Sequence, residues 1–213
     1  MPQNHNSTSS SLTPRGAATK RRIIEAAAEL VYAGGAARMS LDEVMEASGT
    51  SKSQLYHYFT NKDALLREVV DFQTRRILQA NAAYLDDLDS LQALRAWRNM
   101  IIAVNRAGGD FRGCPIGSLA DELATQSEET RSLLAESFEA WRGIIENALD
   151  RMKKRGEIAR SANTKVISTA VLAAIQGGIL LSKTVRKSEP LEAAFDMAFG
   201  HIERHSNIRK SSR

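Results

Sequence analysis

Histidine and cysteine are frequent metal ligands and catalytic groups, and this chain of 213 residues has few of either. The four histidines are His5, His57, His201 and His205, and none belongs to an HExxH pattern. His201 and His205 stand four apart, a spacing that could hold a metal on one helix face. No carboxylate pattern accompanies them, and a solvated helix end is the simpler reading. The single cysteine, Cys114, can form neither a Cys-rich zinc site nor an internal disulfide. Gly108, Gly109 and Gly113 follow a helical segment rather than a strand, so they do not read as a dinucleotide loop. These residues point to no catalytic group, no resident metal and no cofactor.

A different chemistry is available near residues 50–62. Lys52, Ser53, Tyr56 and His57 fall on one side of a short helical segment, Lys52–Phe59, and Leu55 and Phe59 fall on the other. Donor, acceptor and flat apolar side chains in that arrangement suit phosphates, base edges and thymine methyls. Two elements must position them. Ser40-Leu41-Asp42-Glu43 is a capping box that opens a short helix, with Leu41, Val44, Met45 and Ser48 on one side and Gly49 as its stop. Thr50-Ser51 caps the second helix, and Asn61 caps a third that begins at Lys62 and runs to about Ala80. Two short helices across a tight Gly-containing turn make a helix-turn-helix, whose second helix enters the major groove while the first braces it.

The rest of the chain is consistent with a helical carrier. Hydrophobic residues make up 43% and charged residues 25%. Long stretches rich in Ala, Leu, Glu and Arg favour helix, and no alternating β-branched run reads as a strand. An all-α fold is expected. Thr13 and Pro14 begin a first helix with Ile23, Ile24, Ala27, Leu30 and Val31 on one face and Gly34-Gly35 at its end. Longer helices follow from Ser90 to about Arg106, from Pro115 to Leu123 and from Ser127 or Glu128 to about Arg155. Two more run from Asn163 to about Lys187 and, capped by Ser188, to near Arg204. The domains expected are a polar arm at 1–12, a helix-turn-helix domain at 13–62, a larger helical domain at 63–205 and a basic tail at 206–213.

The net charge is +4 and the isoelectric point about 9.3, a mild pointer to a polyanionic partner. Positive charge collects at the ends, with Arg15, Lys20, Arg21 and Arg22 in residues 1–22 and Arg204, Arg209, Lys210 and Arg213 in 200–213. The N-terminal stretch lacks the apolar core of a secretory signal. No unbroken run of eighteen apolar residues marks a membrane span. A single cysteine fits a reducing compartment, so a cytoplasmic location is expected.

The stretch MSLDEVMEASGTSKSQLYHYFTNKDALL resembles the DNA-binding signature of the TetR family of repressors. The matching features are Ser40, Val44, Ala47, Gly49, Ser51-Lys52, the run Leu55 to Phe59, and Lys62 followed by Leu65-Leu66. The preceding IIEAAAELVYAGGAARMS is similar to that family's first helix and exit loop. The resemblance implies a regulator that binds operator DNA, most often as a repressor, with Lys52–Phe59 as its recognition helix. The DNA-contact residues it implies are Ser40, Thr50, Ser51, Lys52, Ser53, Gln54, Tyr56, His57, Tyr58 and Lys62, the last beside the N–H groups of a helix start. Arg15 and Lys20 could reach phosphate or the minor groove, or simply be solvated.

Beyond about residue 80 the resemblance is one of layout. It implies a homodimer through helices 163–187 and 190–204, joined as a four-helix bundle. The first carries a stripe of Ala170, Ala173, Ala174, Gly177 and Gly178. The second carries Leu191, Ala194, Phe195, Ala198 and Ile202. Both stripes could instead face only the protomer's own core. A small-molecule inducer, apolar or aromatic, would lie among Trp97, Met100, Val104, Phe111, Cys114, Leu119, Phe138, Trp141 and Gln176, residues that suit an ordinary core equally well. The segment FRGCPIGSLADEL resembles a Gly-Cys-Pro-x-Gly-x-Leu-Ala-x-Glu stretch of one branch of the family. Some relatives in that neighbourhood sense drugs or flavonoids and others sense electrophiles through cysteine. Cys114 before a helix start, with Arg112 nearby, could be a thiolate sensor, a pocket wall or a packed core residue. A helical adaptor that binds no DNA is the alternative of another class.

Overall fold

The computed structural model describes residues 12–107, 111 and 113–204. These form nine α-helices, with no strand among the described residues. They are α1 (Pro14–Gly34), α2 (Leu41–Ser48), α3 (Lys52–Tyr58), α4 (Lys62–Leu85), α5 (Leu91–Arg106), α6 (Pro115–Leu123), α7 (Glu128–Lys154), α8 (Thr164–Val185) and α9 (Glu189–Arg204). The polar arm up to residue 11 and the tail from residue 205, with His5 and His205, lie outside the described residues. So do Gly108, Gly109, Asp110 and Arg112.

Local chemistry fixes the first helices. Thr13 Oγ1 accepts the Gly16 N–H at 3.1 Å and Pro14 opens α1. At the start of α2, Ser40 and Glu43 cap each other as the sequence predicts, and Gly49 stops the helix at φ 63, a left-handed value that suits glycine. α3 opens on a second capping box, Ser51 with Gln54, absent from the sequence reading. Leu55 and Phe59 point inward, at 0% and 1% exposure, and join Ile23, Ala27, Val44, Leu65 and Val69 in one core. The first turns of α4 thus complete the small bundle of α1, α2 and α3.

α4 runs to Leu85, more than a turn beyond the expected end near Ala80. Asn81 breaks the apolar pattern there, yet it is buried. Its Oδ1 accepts the Trp97 Nε1–H at 2.8 Å, and its amide donates to the Ile77 carbonyl at 2.8 Å. A polar residue that reads as a surface position is the bridge between α4 and α5.

α7 packs on α4 and α8, and α8 on α9. Leu191, Phe195, Ala198 and Ile202 of α9 all face the protomer's own core. The Phe195 ring meets Trp97 edge-on at 6.1 Å. Three ion pairs bind α9 to α5: Arg95–Glu203 at 2.6 Å, Arg98–Asp196 at 2.7 Å and Arg106–Glu192 at 2.5 Å. The expected interface stripe of α9 is therefore internal. The reason is spatial: α8 and α5 together cover that face, which periodicity alone cannot reveal. Of the α8 stripe, Gly178 also faces inward, and a Cβ there would lie 2.8 Å from Leu191 Cα. Ala174 is half-buried, and Ala170, Ala173 and Gly177 are exposed. Val166, Leu180, Leu181 and Val185 join them on the outer surface of α8, each at least half exposed. α8 is long and apolar enough to cross a membrane by length and composition alone, although no unbroken apolar run marks it. A helix packed on one face and covered by a partner on the other has the same composition.

Candidate DNA-contact surface and ligand cavity

The α2–α3 end presents one polar face. Ser51, Lys52, Ser53, Gln54, Tyr56 and His57 are exposed, Tyr56 at 46%, while Leu55 and Phe59 hold the helix from below. Tyr58 is half-buried, and its ring sits edge-on to His57 at 4.8 Å. The expected contact residues thus share one surface, with exceptions. Thr50 is turned inward at 8% exposure, its hydroxyl 2.8 Å from Ser48 Oγ, so it braces the turn instead of reaching DNA. Ser40 is half-buried and its hydroxyl is committed to Glu43, at 2.8 Å. That backbone and side-chain hydrogen bonding from Ser40 holds the Glu43 carboxyl below its usual range. Lys62 Nζ donates to the Ala37 carbonyl at 3.2 Å, which ties the ammonium to the α1–α2 turn while leaving hydrogens for a further acceptor. Lys20 is turned to α4, paired with Glu68 at 2.5 Å and lying 5.8 Å over the Phe59 ring, whereas Arg15 is exposed. The sequence hint for Lys20 was its charge alone, and charge does not distinguish a free cation from a paired one.

Two adjoining clefts lie in the larger domain. One, of about 450 Å³, is lined by Tyr32, Ile77, Met100, Asn105, Trp141 and Ile179 among others, with Val104, 65% exposed, also on its wall. The other, of about 500 Å³, is lined by Phe138, Gln176, Gly117 and Leu180. Gly113, Cys114 and Ile179 belong to both. Met100, Val104 and Trp141 are brought together in the first cleft and Phe138 and Gln176 in the second, with Cys114 on both walls. Trp97 and Leu119 are not: at 0% and 1% exposure they are core, Trp97 because Asn81 and Phe195 hold it. Phe111 is half-buried at φ 41 and lines neither cleft. The sequence reading missed Tyr32, Gln73, Asn81 and Asn105. Their signal was a polar side chain on an otherwise apolar helix face.

Cys114 is the N-cap of α6 and its Sγ accepts the Gly117 N–H at 3.4 Å. The helix start was expected to favour a thiolate. Burial instead pushes the thiol's pKa up, against smaller opposing effects from hydrogen bonds to the Gly117 N–H and Gln176. Desolvation outweighs the helix N-terminus here because the sulfur is 7% exposed. The neighbour named as an aid, Arg112, lies outside the described residues.

Two contacts join the ends of the molecule. Tyr32 Oη of α1 donates to the Gly113 carbonyl at 3.1 Å. Glu122 of α6 accepts the Ala37 N–H at 3.0 Å, its carboxylate packed where a Cβ on Gly35 (φ 90) would be only 3.0 Å away. The Ala37 backbone is therefore held at both of its polar groups, by Glu122 at its N–H and by Lys62 at its carbonyl.

A capped helix-turn-helix with a polar outer face, carried on a helical body with an internal cleft, defines a DNA-binding regulator. Residues 23–69 match the model of bacterial regulatory proteins of the tetR family, and residues 90–197 match the C-terminal domain of LmrA/YxaF-like transcriptional regulators. The chain belongs to the TetR family of DNA-binding transcriptional regulators, which are not enzymes. It is 29% identical to the HTH-type transcriptional regulator LmrA of Bacillus subtilis over 175 residues, 81% of this chain and 90% of that protein. It is 23% identical to the HTH-type transcriptional repressor DhaR of a Mycobacterium species, over 84% of this chain and 90% of that one. The fold is shared with the crystal structure of a regulatory protein TetR from Rhodobacter sphaeroides, at TM-score 0.77 and 22% identity over 86% of this chain and 98% of that one.

Proposed function

We propose that this regulator is a cytoplasmic, dimeric repressor that leaves its operator when a small molecule occupies the cleft between α4, α5 and α7. The observation that carries the DNA half is α3, whose outward residues are polar and whose inward residues, Leu55 and Phe59, are fully buried. Ser51, Lys52, Ser53, Gln54, Tyr56 and His57 face the groove in this reading, and Lys62 keeps a phosphate within reach. The name of DhaR supports repression as the mode. The division at residues 62 and 63 is a functional one, since α4 is a continuous helix that serves both parts.

The dimer surface is the outer side of α8 with Met197 of α9, not the α9 stripe expected from sequence. Five of the nine large apolar side chains exposed among the described residues lie there: Val166, Leu180, Leu181, Val185 and Met197. Ala170, Ala173 and Gly177 between them let a second helix approach closely. A patch of this kind marks a protein interface in a chain that has no other use for it. Two-fold symmetry then requires a palindromic site with half-sites about one DNA turn or a multiple apart.

α6 is the natural link between cleft and DNA end. It begins at Cys114 on the cleft wall and reaches the α1–α2 turn through Glu122. A ligand that favours a shifted α6 would move that turn, and DNA and ligand would weaken each other equally. The test is footprinting on the DNA that flanks the protein's own gene, with and without a library of apolar and aromatic compounds. Symmetric protection lost on adding a compound is the expected result. Protection of one half-site by a monomer, or protection that no compound alters, would overturn the corresponding half of the reading.

A further inference from the structure

Indole N–H groups and side-chain amides in a core are normally paired, and Trp97 with Asn81 shows this core following the rule. Two residues on the wall of the 450 Å³ cleft depart from it. Trp141 Nε1 and Asn105 Oδ1 are buried and have no hydrogen-bond partner among the described residues. Trp141 is 4% exposed and Asn105 9%. The first atom can only donate and the second can only accept.

The rest of the wall restricts what could satisfy them. Met100, Ile77, Ile101 and Ile179 are apolar. Glu29 and Arg76 are the charged side chains of the lining, and they oppose each other at 3.6 Å with more than half of each side chain in solvent. Arg76 also lies 5.6 Å over the Phe72 ring. Cys114 is kept as a neutral thiol by burial. Of the wall's fully buried polar atoms, one donor and one acceptor are thus unused among the described residues, and the lining holds no unpaired charge. A carboxylate placed there would lose its hydration without a counter-ion, a far larger cost than burying a hydroxyl that is hydrogen-bonded.

We propose that this cleft takes a neutral, mainly apolar ligand carrying an acceptor for the Trp141 N–H and a donor for the Asn105 carbonyl, as a phenol or alcohol supplies. The inference rests on the reading of the cleft as the effector site, and it adds the chemistry that selects the effector. Trp141 and Asn105 are the specificity-determining pair.

Calorimetric titration with three probes of similar shape tests it: para-phenylphenol, biphenyl and biphenyl-para-carboxylate. Phenylphenol should bind the wild-type protein at least about tenfold more tightly than biphenyl, the worth of a hydrogen bond to an otherwise unpaired group, and the carboxylate should bind most weakly. Trp141→Phe keeps an aromatic ring, one ring smaller, and Asn105→Leu keeps the branched shape of the side chain without its polar atoms. Each should shrink the phenylphenol advantage to about threefold or less while leaving biphenyl affinity within about twofold. Neither variant should melt below the wild type by more than a packing adjustment explains, since each removes an unpaired buried polar atom. Tighter binding of the carboxylate, or an advantage for phenylphenol that survives both substitutions, overturns the proposal. So does an equal weakening of all three probes, which marks the pair as structural. If biphenyl binds and phenylphenol binds no better, the polar inference falls while the cleft remains a ligand site. If none of the three binds or alters operator affinity, both readings fall together.

Discussion

Ser51 and Gln54 hold the start of α3 to each other across three residues, whereas Trp97 holds α5 to α4 across sixteen and reaches α9 through Phe195. The DNA end is shaped by caps: Thr13, Ser40, Ser51 and Asn61 each satisfy an N–H within one turn of themselves. The helical body also has its caps, but its shape is decided by contacts between helices distant in sequence. A regulator gains from this division. The proposed switch needs a reading head held by local bonds and a body that packing around a cleft allows to shift.

The largest expected effect breaks the body. Trp97→Ala removes the best-buried aromatic side chain, leaves the Asn81 carbonyl unpaired and takes away the Phe195 contact, so it should cost about 3–5 kcal/mol in chemical denaturation. The caps of α2 and α3 should survive in the amide spectrum of whatever remains folded. A cost below about 1 kcal/mol would mean that α5 is not held as described.

The same contrast explains what could be read in advance. The Ser40–Glu43 capping box, Gly49 and the pair Leu55 and Phe59 are patterns of three or four residues, and they were legible, as was the all-α class, whereas the Ser51–Gln54 box was not. Thr50 was misplaced because its partner Ser48 lies in the same turn, and a hydroxyl that bonds inward reads like one that bonds outward. The body was legible as helices but not as surfaces. Nothing in the spacing of Leu191, Phe195 and Ile202 says that α5 and α8 rather than a second protomer cover them. Trp97 and Trp141 look alike in sequence, yet one indole N–H is paired and the other is not. Asn81 and Asn105 went unnoticed because an isolated polar residue on a helix is usually a surface residue.

A pair of adjacent glycines sharpens the division between the two faces of α8. Gly178→Leu would drive a side chain into Leu191, and overpacking of this kind should cost the folded protomer about 1–3 kcal/mol or more. Gly177→Leu meets nothing within 4 Å in the protomer and replaces a poor helix former, so its fold should be stabilised by about 0.5–1 kcal/mol. Its dimer should nevertheless dissociate in sedimentation runs and its operator affinity should fall. An intact Gly177→Leu dimer would put the interface on another face.

The two capping boxes differ in one ionisable group, which allows a smaller test. Ser51→Ala should cost about 1 kcal/mol and loosen α3 at every pH. The α2 box uses the Glu43 carboxylate, whose pKa is lowered in the fold mainly by the Ser40 N–H and hydroxyl. Its contribution is present above the ordinary carboxylate range and is lost as pH falls through the depressed value. Amide shifts of Ser40 and Glu43 should therefore move on acidification while those of Ser51 and Gln54 stay. Equal movement in both boxes would show that acid acts on the whole bundle and not on one cap.

The smallest effect lies where the two regions meet. Glu122 belongs to the body, but its carboxylate accepts the Ala37 N–H in the turn that leads into α2, and Lys62 holds the carbonyl of the same residue. Glu122→Ala frees that turn without touching the cleft wall by more than one residue at its rim. Folding stability should change little, because the contact is exposed. What should change is the link between sites: couplings of this kind respond to such substitutions by about 0.5–2 kcal/mol, so the ligand-induced loss of operator affinity should shrink by roughly threefold. Glu122→Gln, which keeps an oxygen acceptor for the Ala37 N–H, should restore most of the response. The readout is the ratio of operator dissociation constants with and without saturating ligand, measured beside the ligand affinity itself. If Glu122→Ala weakens DNA binding equally in both states and leaves that ratio untouched, the contact merely positions the turn. The signal from the cleft would then travel along α4 or α1, the helices that line the cleft and also build the DNA end.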